Sequence, residues 1–290
     1  MTAYLVLVLA GVLSGFLAGL LGIGGGLVMV PVLMLMLPAV GIDPAIVPKV
    51  AVATSLAAMI PTACSAVLAQ YRRGALDTRW VRRLGPAAAV GAVIGSQLAA
   101  AASGRWVAIG FAVYAGWLAL RVVRGAPVNS NVTGCAARAV SALPAPAIGA
   151  LIGAFASIAG VGGASLTVPY LLAAGVEMKR AVAVSSAVGL AIALAGGASF
   201  ATASAAMLST SSSELVGLVH FPAALMIAVS AALLAPPGVS AAHRISVVHL
   251  KRAFAAVLIA ASAVTLTKAT DAIGMIHYAA SIDLAQVAQR

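Results

Sequence analysis

Apolar residues run along this chain in long blocks, broken at intervals by short polar or glycine- and proline-rich stretches. The blocks are rich in Ala, Leu, Gly and Val, and none alternates as a β-barrel strand would. They predict apolar helices. Segment 1 covers residues 4–21 and ends at Gly22-Ile23-Gly24-Gly25-Gly26. Segment 2, residues 27–37, is too short, at about 1.5 Å per residue, to cross a hydrocarbon core about 30 Å thick. The pair therefore reads as a re-entrant or hairpin-like unit. A loop with Pro38, Gly41, Asp43, Pro44 and Pro48 follows, then segment 3, residues 49–70, with Pro61 as an expected kink. Residues 71–83 read as a basic loop with interfacial aromatics. Segments 4 and 5 cover residues 84–102 and 106–123.

The second half repeats this plan. Gly160-Val161-Gly162-Gly163-Ala164 leads to Pro169 as the first glycine turn leads to Pro31. At a constant offset of 138 the match also pairs Gly11 with Gly149, Leu13 with Leu151, Gly15 with Gly153 and Ala18 with Ala156. Nine of the 21 positions from Gly11 to Pro31 are identical, too many for chance. Segments 6, 7 and 8 cover residues 144–159, 165–174 and 179–200; segments 9 and 10 cover 217–234 and 251–267. A Ser/Thr/Ala loop whose one charge is Glu214 precedes segment 9. The chain divides into a first repeat (1–123), a polar cytoplasmic linker (124–143), a second repeat (144–270) and a weakly amphipathic tail (271–290).

Composition turns this pattern into a membrane protein. The 290 residues are 63% hydrophobic and only 8% charged, against about 25% charged in soluble domains. The net charge of +11 raises the question of nucleic acid, but Lys and Arg fall between the apolar segments and never along one polar helix face. They are topology signals. With the basic loop at 72–83 in the cytoplasm, 13 Lys and Arg fall inside and 4 outside. The first broken unit then enters from outside and the second from inside. Each half holds the same five segments in opposite orientation, an inverted-topology repeat. Both termini are expected outside, in a bacterial inner membrane. The first basic residue is Lys49, so no cleavable signal peptide is expected.

Unwinding a helix at membrane depth leaves backbone N–H and C=O groups that cost several kcal/mol if unpaired. A helix restarting after the turn carries free N–H groups and a partial positive charge, a ready-made anion site. The candidate binding residues are therefore Gly22, Gly24, Gly25, Gly26, Gly160, Gly162 and Gly163, with Ser165 and Thr167 just after the second turn. Tight helix packing is the plainer use of such glycines. Thr54 and Ser55 match Ser185 and Ser186 at an offset of 131, with Lys49 and Arg180 five positions before each pair. These hydroxyls would donate to an oxyanion, accept around Na⁺, or bond their own helix carbonyls. Lys49 and Arg180 read as mouth charges. Gln97, deep in segment 4, is either a site contact or an interhelical hydrogen bond. No His pair stands at ligand spacing, so neither metal nor cofactor is expected. Cys64 and Cys135 form no disulfide framework. No Asp, Glu, Lys or Arg lies deep in a segment, so the carboxylate relay usual in proton-coupled carriers is not expected.

At these residues the chain resembles the TauE/SafE family, also called the sulfite-exporter or toluene-sulfonate-uptake family. The resemblance rests on Gly22-Ile23-Gly24-Gly25-Gly26 leading to Pro31, Ala53-Thr54-Ser55-Leu56, Gly160-Val161-Gly162-Gly163 leading to Pro169, and Val184-Ser185-Ser186-Ala187. It implies transport of a small anion such as sulfite or a sulfonate. Ala164 departs from the pattern at the position of Gly26, which predicts tighter packing of the second turn.

The expectation is a secondary carrier of a small sulfur-containing anion, driven by the membrane potential or by Na⁺ and working by alternating access. An anion channel on the same scaffold is the rival, and a homodimer suits either. No Gly-x-Ser-x-Gly elbow supports an intramembrane hydrolase, and the chain carries no P-loop of an ATP-driven pump.

Overall fold

Helices carry nearly every described apolar block. The computed structural model describes residues 2–21, 25–123, 144–203 and 214–241. The helices are α1 (Thr2–Leu21), α2 (Gly26–Met36), α3 (Val47–Arg72), α4 (Thr78–Ala101) and α5 (Gly104–Val123). In the second half they are α6 (Ala145–Ile158), α7 (Ala164–Ala173), α8 (Met178–Thr202) and α9 (Phe221–Ala241). A short hairpin, β1 (Leu215–Val216) against β2 (Val219–His220), precedes α9. Val47–Arg72, Thr78–Ala101, Met178–Thr202 and Phe221–Gly238 are each long and apolar enough to cross a membrane. The candidate segment 10, the 124–143 linker and the tail lie outside the described residues.

The core is built by exchange between the two halves. α3 and α8 pack on each other, α9 packs on α3, and α4 packs on α8. The broken helices then swap sides: α1 lies on α9, and α6 lies on α4. Backbone contact at both outer interfaces accounts for the repeated glycines that precede the two turns. A Cβ on Gly91 would run into the Ala150 carbonyl oxygen, and one on Gly95 into that of Ala154. From the facing helix, a Cβ on Gly153 would strike the Ala88 carbonyl. At the matching interface, Gly15 lies against the Ala231 carbonyl, and Gly11 against Ser230 and Ile227. Close backbone approach of this kind replaces the hydrophobic effect as the drive for helix association in lipid. The identities Gly11/Gly149 and Gly15/Gly153 therefore serve packing.

Two local readings are corrected. Residues 71–83 are mostly helical: α3 runs to Arg72, α4 begins at Thr78, and only a short turn separates them. Asp77 causes the early start, because its side chain accepts the Arg79 N–H at 3.0 Å as an N-cap. Arg83 then lies over Trp80 at 5.8 Å, and Trp80 meets Tyr170 of α7 edge-on. Around Glu214, the hairpin takes the end of the Ser/Thr/Ala loop and also residues 217–220, the expected start of segment 9, so that α9 begins only at Phe221. The hairpin's two-residue turn places Gly217 at φ +59°, which suits glycine, and Leu218 N donates to the Phe200 carbonyl at the end of α8. α3 runs unbroken through Pro61.

Candidate functional site

The two glycine turns meet. Gly25 and Gly163, equivalent under the 138 offset, hold nearly the same left-handed conformation (φ 70° and 68°) and each starts a short helix. The carbonyl of Gly25 accepts from Val28 and Met29, and that of Gly163 from Leu166 and Thr167. The N–H groups ahead of these have no carbonyl one turn back within their helix. Gly26 presses on the Gly160 carbonyl oxygen, so no side chain fits at Gly26. Ser55 completes the crossing: its one hydroxyl proton is shared between the Gly160 carbonyl at 3.0 Å and its own Val52 carbonyl at 2.8 Å. The asymmetry of Gly26 and Ala164 thus reflects which turn lies against the other's backbone.

Beside this crossing, toward the Arg72 end of α3, is a narrow cleft. One wall is Ala18, Met59, Thr62, Ala63 and Ala66; the other is Gly162, Ser185, Ser186 and Gly189. It has room for about one water molecule. Of the candidates named from sequence, Gly162, Ser185 and Ser186 reach the cleft. Thr62, Met59 and Gly189 were not anticipated. Their signal was helical spacing, since Thr62 stands seven residues after Ser55 and Gly189 four after Ser185, each on nearly the same helix face.

The other candidates are engaged elsewhere. Thr54 accepts the backbone N–H of His220 at 3.0 Å. Ser165 bonds the Tyr114 hydroxyl of α5, and Thr167 bonds the Gly163 carbonyl at 2.9 Å. Gln97 donates to Ser199 at 2.9 Å, an interhelical bond between α4 and α8. Lys49 donates to the Ala100 carbonyl at 2.9 Å, where it caps the C-terminal end of α4. Arg180 is exposed at the start of α8. Gly22 and Gly24 lie outside the described residues.

The hydroxyls at the cleft spend their protons on their own helices. Ser185 and Ser186 donate to the Val182 carbonyl at 2.8 and 3.0 Å, and Thr62 to that of Ala58 at 3.3 Å. Each therefore offers lone pairs to the cleft. A hydroxyl must rotate off its carbonyl before it can donate to an anion, at a cost comparable to one hydrogen bond, about 1 kcal/mol.

Comparison with known proteins now decides the family. The family model described as "Sulfite exporter TauE/SafE" matches residues 7–265. The chain belongs to the TauE/SafE family. Among its relatives is a "Probable membrane transporter protein" of Haemophilus influenzae (strain ATCC 51907 / DSM 11121 / KW20 / Rd). It is 31% identical over 258 residues, covering 89% of this chain and 96% of that one. A second relative is the "Probable membrane transporter protein YunE" of Bacillus subtilis (strain 168). It is 26% identical over 185 residues, 59% of this chain and 67% of that one. No solved structure matches the chain. This TauE/SafE protein is accordingly a membrane transporter, and its long apolar helices are those of a polytopic membrane protein.

Proposed function

We propose that this TauE/SafE protein is a secondary transporter that exports a small sulfur-containing anion, such as sulfite or a sulfonate, by alternating access. The observation that carries the mechanism is the cleft. It adjoins the crossing of two glycine-broken helices, and it has room for only about one water molecule. A carrier caught between openings suits this geometry better than a pore, which needs a continuous water-filled path. The substrate class rests on the family's description.

In this reading the two halves, 1–123 and 144–270, are inverted repeats joined by a cytoplasmic linker at 124–143. The exchange of α1 onto α9 and α6 onto α4 supports it, because an inverted repeat needs equivalent pairs of contacts. The positive-inside bias places the Arg72 end of α3 in the cytoplasm of a bacterial cell and the hairpin outside. The cleft then lies between the midplane and the cytoplasm. The anion is held by hydroxyls of Thr62, Ser185 and Ser186 rotated toward it, beside the glycine turn at Gly162. An inside-negative potential drives such an anion outward by about 2.3 kcal/mol per charge per 100 mV.

Counterflow in proteoliposomes tests the proposal. Vesicles preloaded with unlabelled sulfite should transiently accumulate labelled sulfite, and a panel with thiosulfate, taurine, sulfate, phosphate and chloride should rank the sulfur anions by competition. Flux that does not saturate and shows no counterflow would instead establish a channel. Absence of any sulfur-anion flux would overturn the substrate class.

A further inference from the structure

We propose that the cleft between α3 and α8 is a sodium site, where one sodium ion moving inward is exchanged for each anion moving outward. The exchange rests on the transporter reading above; the ion site stands on the chemistry of the cleft itself.

Three hydroxyls reach the cleft, and all three are already committed as donors. Thr62 donates to Ala58, and Ser185 and Ser186 both donate to Val182. A hydroxyl has one proton and two lone pairs, so each presents an acceptor to the cleft. All three residues are more than nine-tenths buried. A fourth oxygen is the carbonyl of Gly162. It lies against α8 at Gly189, where an added Cβ would come within 2.7 Å of it, and no backbone N–H among the described residues donates to it. Buried lone pairs without a partner are costly, and a set of them around a water-sized space calls for a donor or a cation.

The surrounding field has the matching sign. Ala18, in the last turn of α1, and Gly162, just past the end of α6, line the cleft, and no residue of α2 or α7 does. The cleft is therefore flanked by C-terminal helix ends, whose free carbonyls carry partial negative charge. Broken helices of transporters offer unwound carbonyls to cations in this way. No Lys or Arg lines the cleft to repel a cation. No Asp or Glu lines it either, and a divalent ion would need such carboxylates to offset its dehydration. Room for about one water molecule suits sodium and is tight for potassium.

Sodium and the anion need the same hydroxyls in opposite settings. Unrotated, Thr62, Ser185 and Ser186 turn lone pairs toward the ion. Rotated off their carbonyls, they turn protons toward the anion. Occupation by one excludes the other, and exchange is the result. An inside-negative potential favours both halves of the cycle, since it draws sodium in and pushes the anion out.

Thermal unfolding of the purified full-length protein, with no sulfur anion present, tests the ion site. Chloride is held constant while choline is replaced by Na⁺ or K⁺. The midpoint should rise with Na⁺ and saturate, with K⁺ weaker by about fivefold or more. Thr62→Val and Ser186→Ala should each raise the half-saturating Na⁺ concentration about fivefold, the effect of losing one contact of hydrogen-bond strength. Ser96→Ala on α4 removes a buried hydroxyl that bonds its own helix away from the cleft, and should leave that concentration unchanged. Equal midpoints in choline, K⁺ and Na⁺ would mean that water alone fills the cleft, and would overturn the proposal. A Na⁺ response unchanged in both cleft variants would overturn it as well. If those variants do not fold, the wild-type comparison of Na⁺ with choline and K⁺ decides alone. Sulfite, added next, should raise the half-saturating Na⁺ concentration by competition. Sulfite that shows counterflow yet leaves the Na⁺ response unchanged, or strengthens it, overturns the exchange. A Na⁺ response without sulfite counterflow keeps the ion site and removes only the substrate class.

Discussion

The hydroxyl of Ser55 lies 3.0 Å from the carbonyl oxygen of Gly160, a residue 105 positions away in the other half of the chain. That bond ties the helix following one glycine turn to the backbone of the other turn. The crossing beside the cleft is therefore a shared structure, and neither turn is complete by itself. In the structure Ser55 is a strut that satisfies an unwound carbonyl.

Ser55→Ala should lower stability by about 1–2 kcal/mol, because it leaves the buried Gly160 carbonyl without this donor. A fall of several degrees in the midpoint of size-exclusion thermal unfolding would show it. An unchanged midpoint would mean that the crossing does not depend on this bond.

The outer interfaces should be intolerant of side chains. Gly153→Val places a branched group against the Ala88 backbone, and folded protein should be largely lost. Gly110→Ala on α5 is the control: nothing lies within 4 Å of the added methyl, so stability should hold or rise slightly. Monodisperse yield after detergent extraction measures both. Equal tolerance at the two positions would remove backbone contact as the reason for the glycines.

At the cleft, Thr62→Val keeps the shape of the side chain and removes the oxygen. Thr62 bonds only its own helix at 3.3 Å, so stability should change little. Transport should fall about tenfold, equivalent to about 1.4 kcal/mol in the barrier or in binding. Ser186→Ala should act in the same direction. Full transport in both variants would move the substrate path away from this cleft.

Lys49→Met separates a capping role from a mouth charge. Loss of the bond to Ala100 should cost about 1 kcal/mol of stability, with little change in the substrate concentration giving half-maximal transport. A several-fold rise in that concentration at unchanged stability would restore the mouth-charge reading.

Much of this architecture is legible in the residue order. The duplicated glycine turns, the short helices after them and the long apolar helices follow from local composition, because a helix in lipid must satisfy its backbone within itself. Gly25 and Gly163 could be located that way, as could the Gln97 side chain needing an interhelical partner. What the order of residues left undecided was which polar groups face which. Thr54 and Ser55 are neighbours in sequence, yet one receives a β-hairpin and the other holds a glycine turn. The same repeat that aligned Thr54 with Ser185 gave no hint that only Ser185 reaches the cleft. The hairpin at Glu214 and the burial of His220 were invisible too, since a serine-rich stretch and a lone histidine carry no periodic signal. Such pairings are made across the crossing of separate helices, and their distances depend on packing between segments a hundred or more residues apart. Local apolar pattern determined the helices and their breaks; the tertiary structure alone decided which hydroxyls brace the backbone and which line the cleft.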